Sequence, residues 1–244
     1  MQGSRGEGAT ASLFGQNGLS GEEPPVRTRG ETPLSRARPA CFPPRVSPPL
    51  PHGSELIAHW AARTGLRYEA HPDEDWFRRW EPHDTIAPPS YFLNACTWMA
   101  APHPGHIVLV EPWYAFDDMP PLDRTVIAFA SHPSLGPRAS IRGGEHFLTR
   151  VAYIESLPPP QIEIGEAVWD AHLTTFASSR EMARTAFHGR VRKLLLGWKF
   201  QGHVELRPGG LVLHFAGLRP IQEDYDRLLR ITRQVVEKAI APRG

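Results

Sequence analysis

The sequence predicts an α+β domain: an antiparallel or mixed sheet with helices packed on one face, a C-terminal β-α-β-β-α unit, and a disordered N-terminal tail. Three observations carry this. Residues 169–176 alternate, with Trp169, Ala171, Leu173 and Thr175 opposing Asp170, His172, Thr174 and Phe176, as a half-buried strand does. Residues 180–198 and 222–240 each set apolar side chains on one helical face. Between those helices two alternating runs flank Pro208-Gly209-Gly210, a hairpin signal.

Taken in order, residues 1–51 hold 9 Pro and 7 Gly with no Trp or Tyr. Such a segment buries too little apolar surface to offset the entropy of ordering it, so it is expected to be a disordered tail. Two readings stand side by side: a regulatory tail with polyproline stretches at 43–44 and 48–51, or a start codon assigned upstream of a true start near Val46 or Leu50. The body, 52–244, is expected as a single α+β domain with a loop-rich aromatic half (52–155) and a β-α-β-β-α half (156–244).

In the first half Ser54 is placed to cap a helix to Arg63 that buries Leu56, Ile57, Trp60 and Ala61. Gly65 ends it and 66–70 follows as a strand. Trp76, Phe77 and Trp80 recur at helical spacing, and Tyr91, Phe92, Ala95, Trp98 and Met99 predict a short buried helix over 91–101. That apolar stretch is about half the roughly 20 residues a bilayer needs, so no membrane span is expected. Residues 107–116 read as a strand, with Pro112 implying an edge or a bulge. The run 125–131 reads as a buried strand, 139–142 as another, and 145–153 as a helix.

In the second half, Ser178-Ser179-Arg180-Glu181 reads as a capping box that opens a helix which Gly189 can split. The hairpin 204–207/211–216 follows, and then the helix 222–240 with Glu223, Asp224 and Asp226 at its positive end. In this order, IEIGEAVWDAHLTTFASS (162–179), AFHGRVRKLLLGW (186–198) and VELRPGGLVLHFAGL (204–218) resemble a bacterial domain-of-unknown-function family. The matching positions are Gly165, Trp169-Asp170, Leu194-Leu195, Gly209-Gly210 and Leu228-Leu229, over about residues 139–240. The resemblance implies an architecture and no established activity.

Composition bounds the function. The net charge is +1, which disfavours a dedicated nucleic-acid binder. Two cysteines, Cys41 and Cys96, exclude a disulfide-stapled scaffold. The excess of 24 Arg over 3 Lys runs through the whole chain and reads as codon bias. There is no G-x-S-x-G, Walker A or G-x-G-x-x-G motif. Cys96, in the most apolar stretch, reads as inert core. His103 and His106, with His83, Asp84 and Glu111 nearby, supply at most two converging ligands, short of the three or four zinc needs. No metal and no cofactor are therefore expected.

Two polar sets remain. Arg180, Arg184, His188 and Arg192, spaced by four, form a stripe fit for an anionic ligand or an acidic partner. Asp170 and His172, if joined by His214 in one open pocket, would suit a small hydrolase or transferase. The sequence favours a cytoplasmic, non-catalytic interaction or accessory module with a protein partner.

Overall fold

The computed structural model describes residues 49–72, 91–99, 105–113, 124–144 and 160–241, all within the unit Val46–Gly244. The expected tail up to residue 48, the 76–80 aromatic set, the 145–153 helix, and Cys41, His83, Asp84 and His103 lie outside the described residues.

The elements are α1 (Ser54–Arg63), β1 (Arg67–Glu69), β2 (Tyr91–Met99), β3 (His106–Trp113), β4 (Ile127–Ser131), β5 (Ala139–Gly143) and β6 (Gln161–Ile162). Then come α2 (Ala167–His172), β7 (Leu173–Phe176), α3 (Arg180–Ala186), α4 (Gly189–Gly197), β8 (Gly202–Arg207), β9 (Gly210–Phe215) and α5 (Gln222–Ile240). The nine strands make one open sheet in the order β1-β2-β3-β4-β9-β8-β5-β7-β6, and every pair is antiparallel.

The five helices among the described residues share one face of that sheet. Their buried side chains, among them Ile57, Trp169, Phe187, Leu195, Leu228 and Val235, join Ile107, Leu109, Ala128, Ile141, Val204 and Leu213 in one core. α5 crosses β3, β4 and β9 and touches α1 and α4. The opposite face carries a smaller apolar cluster, Phe92, Ala95, Val108, Val110, Ile127, Phe129 and Val212. The α+β class, the hairpin and the two covering helices of the last unit are thus present as expected.

Several elements differ from the sequence reading. The segment expected as a helix over 91–101 is strand β2. Its register against β3 shifts between Leu93 and Cys96, at a bulge where Asn94 takes a left-handed φ of 53°. The extra residue puts Phe92 and Ala95, three apart, on the same face, and a spacing of three imitates a helix. Residues 169–172, the first half of the strand expected over 169–176, lie instead in α2, and the strand begins at Leu173. Asp170 explains the change: its carboxylate accepts the N–H groups of Ile164, Gly165 and Glu166 at 2.9–3.0 Å and winds the chain there.

Pro112 is on neither a sheet edge nor a bulge of its own strand. β3 is interior, but its pairing with β4 ends at Val110, so the missing N–H of Pro112 costs no ladder bond on that side. The helix expected after residue 179 is split at Phe187–His188 into α3 and α4, where Gly189 allowed it. Its cap is Ser179, which accepts from Met182 N at 3.1 Å, so the reciprocal Ser–Glu box does not form. Ser54 likewise is not the α1 cap: Gly53 is, and the Ser54 hydroxyl donates to Pro51 O. Leu56 is 56% exposed rather than buried.

Candidate functional site

The arginine stripe lies on α3 and α4 and is turned towards the loop that precedes α2. Arg180 Nε donates to Glu163 O at 2.8 Å, and Arg184 Nε to Ile164 O at 2.7 Å. Arg192 pairs with Glu166 at 2.6 Å and donates to Phe187 O. With Asp170 taking the N–H groups of the same loop, its carbonyls and amides are held from opposite sides. Gly165, at φ 81°, sits so close that an added Cβ would lie 3.1 Å from Arg184. His188 caps α4 and is half-buried. Arg192 is therefore committed to the fold, whereas Arg180 and Arg184 each give the loop one of their five N–H groups, and Arg190 and Lys193 stay exposed.

Asp170, His172 and His214 are not brought together. Asp170 and His172 sit on α2, on the helical side, and His172 Nδ1 meets Val168 O in its own helix. His214 sits in mid-sheet on β9, on the same strand face as Val212, which belongs to the opposite cluster. Its Nε2 lies 3.0 Å from Thr125 Oγ1, whose single proton goes to Leu218 O.

What surrounds His214 instead is a row of polar side chains that sequence reasoning missed. In register, His214 faces His203 across β9–β8, and His203 faces Arg142 across β8–β5. One step along, Glu205 faces Ser140. Ser140, His203, Glu205 and His214 are all buried. Arg207 holds Glu205 through Nε at 2.6 Å, and Arg142 lies over the Phe176 ring. His203 Nε2 is 3.8 Å from Glu205, too long for a hydrogen bond. Burial outweighs that carboxylate and holds the ring below its ordinary pKa, neutral at pH 7.

On the helical side a second buried network gathers at the β2 bulge. Glu111 accepts Arg124 Nε at 2.5 Å, Arg124 Nη2 at 2.9 Å and Asn94 Nδ2 at 3.0 Å. Asn94 also receives Tyr68 Oη on its side chain and Tyr225 Oη on its carbonyl. Hydrogen bonding to Glu111 pushes the Arg124 pKa up. Burial pushes the Tyr225 phenol well up and the Cys96 thiol to about 12. A thiol so placed is no nucleophile. Glu111 is thus committed to an ion pair, and among the described residues no group of three His, Cys, Asp or Glu converges as a metal site.

Two clefts flank the C-terminal half of α5. The first, about 340 Å³, lies between α5 and the ends of β2–β4, with apolar walls from Trp98, Ile107, Ala130, Val236 and Ile240. His106, Ser131 and His132 stand in its polar rim, where Ser131 Oγ and His106 Nδ1 share a hydrogen bond of 2.7 Å. Partial burial lowers the His106 pKa, so the ring is neutral at pH 7. The second cleft, about 470 Å³, lies on the other flank, lined by Trp198, Phe215, Ile231, Arg227 and Arg230. Arg233 and Glu237 border both. The Arg233 guanidinium stacks over Trp98 at 4.8 Å. The sequence signal for these clefts was the amphipathic stripe of 222–240, which marks the buried side of the helix but not what opens beside it.

Among the described residues the architecture is therefore an open, nine-stranded antiparallel sheet with five helices on one face and a cleft on either flank of the last helix. No protein-family model matches the chain. No curated protein matches it. Among solved structures it is similar to the crystal structure of the mycobacterial trehalose monomycolate transport factor A, TtfA. The identity is 12%, the TM-score 0.52, and the match covers 78% of this chain and 97% of that one. At that identity the likeness is one of fold. No helix among the described residues is long and apolar enough to cross a membrane.

Proposed function

We propose that this chain is a non-catalytic accessory module of the cytoplasm, one that serves a transport process by holding a partner protein or ligand rather than transforming it. The observation that carries the reading is the fold likeness to TtfA, a transport factor by its description, over 97% of that chain. The clefts along α5 support it, because partly apolar clefts with a few polar groups are the usual form of binding sites. A protein partner on the α3–α4 face would meet Arg190 and Lys193 beside Arg180, Arg184, His188 and Arg192. The deciding experiment deletes the gene in the organism that encodes it and follows export of the amphiphilic molecules of its envelope. Reduced export, restored by the full chain, is expected; unchanged export overturns the reading.

The alternative, a small hydrolase or transferase, draws support from Ser131 and His106 in the apolar cleft rather than from Asp170, His172 and His214. A serine-directed fluorophosphonate separates the two. The accessory reading expects Ser131 to stay unlabelled, and stoichiometric labelling of it would favour the enzyme.

A further inference from the structure

The two clefts along α5 differ in character and meet at the same two residues. One is walled by apolar side chains, and the other presents three arginines against one glutamate. Arg233 and Glu237 stand between them. Arg227 and Arg233 use their guanidinium groups on the rings of Phe215 and Trp98, which orients them without neutralising them. Among the described residues, Arg230 alone of the three makes an ion pair, an exposed one with Asp226 at 3.1 Å, and such a pair is readily exchanged. A molecule that filled both clefts would need an apolar chain and, beside it, a negatively charged head. Guanidinium groups fit phosphate oxygens two at a time.

We propose that the two clefts along α5 form a bipartite site for one molecule of a single-chain anionic amphiphile, with the chain between Trp98, Val236 and Ile240 and a phosphate head that reaches past Arg233 to Arg227 and Arg230. This rests on the accessory reading above and names the ligand class it would hold. The volume of the apolar cleft, about 340 Å³, falls in the range of about 300–1,000 Å³ usual for small-molecule sites, which gives room for a chain segment.

The test titrates the full chain with lauroyl lysophosphatidic acid below its micellar concentration, following tryptophan fluorescence and heat. Parallel titrations use dodecyl maltoside, inorganic phosphate and vesicles of anionic phospholipid. Saturable one-to-one binding of the lysolipid, tighter than maltoside or phosphate alone by about tenfold or more, is expected, since each head contact is worth on the order of 1.4 kcal/mol. Arg227→Glu with Arg230→Glu should remove the advantage over the neutral detergent, and Ile240→Asp should weaken both amphiphiles. All these positions are exposed or half-exposed, and an unchanged melting curve verifies each variant's fold. Equal affinity for charged and neutral amphiphiles overturns the proposal, as does binding to vesicles without binding to the monomer, or variants that bind as the natural chain does. Failure here with export still dependent on the gene leaves the accessory role standing. Binding here with export independent of the gene removes that role and keeps the site.

Discussion

Replacing Glu111 by Gln tests whether the buried network at the β2 bulge holds the helical face together. The carboxylate is fully buried and accepts three donors, two from Arg124 and one from Asn94. A glutamine offers one acceptor oxygen, and its amide group would face a donor, so at least one of the three loses its partner. Breaking a buried ion pair from one side costs about 3–5 kcal/mol. Arg124 is 35% exposed and can recruit water, which places the cost near the lower end, about 3 kcal/mol. For a chain of this size that lowers the melting temperature by about 6–12 °C. Arg124→Met strands the carboxylate instead and should cost as much or more. The double variant should cost clearly less than the sum, with a coupling of about 2 kcal/mol in a denaturant-unfolding cycle. A Glu111→Gln cost under about 1 kcal/mol, or strictly additive effects, would refute the network's role.

Other expectations follow from the same structure. Asp170→Asn keeps the shape but turns an amide towards three backbone N–H groups. It should cost about 2 kcal/mol and raise hydrogen exchange at residues 164–166; unchanged exchange there would count against the clamp. Burial holds the His203 pKa below its ordinary value, so the unfolded chain binds the proton first as pH falls below about 6.5. Stability should therefore drop on acidification by at most about 1.4 kcal/mol per pH unit from this residue, and His203→Gln should flatten the slope of melting temperature between pH 7.5 and 5.5. An identical slope in the variant would mean His203 is not the titrating group. Cys96, with no exposed surface and a pKa near 12, should resist Ellman's reagent at pH 8 in the native chain and react at once in guanidinium. Mass mapping of a native adduct on Cys96 would contradict this.

The elements legible in the sequence were those whose signal is local. α5 spans 222–240 as its stripe indicated, and the turn at 208–210 placed the β8–β9 hairpin within about two residues. The losses have physical causes. At β2 a bulge broke the alternation and left a spacing that imitates a helix. At 169–172 a single carboxylate collecting three amides overrode an alternating pattern. The polar row on the second face was hidden because alternation in HVELR shows that His203 and Glu205 share a face, yet says nothing about whether that face is covered. At 1–2% exposure it is. The arginine stripe was visible for the same reason, and the loop carbonyls it serves were not: spacing along a helix does not reveal what folds back against it.

The hydrogen bond from Tyr225 to the carbonyl of Asn94 joins residues 131 positions apart, and this has a consequence for how the chain is made. Synthesis delivers these strands before α5. Until α5 docks, the strip of Ile107, Leu109, Ala128 and Leu213 lacks its cover, and the bulge carbonyl lacks its donor. The cover of this face comes later in the chain than the strands it protects, so the interval between synthesis of β9 and docking of α5 is when that apolar strip is open to aggregation.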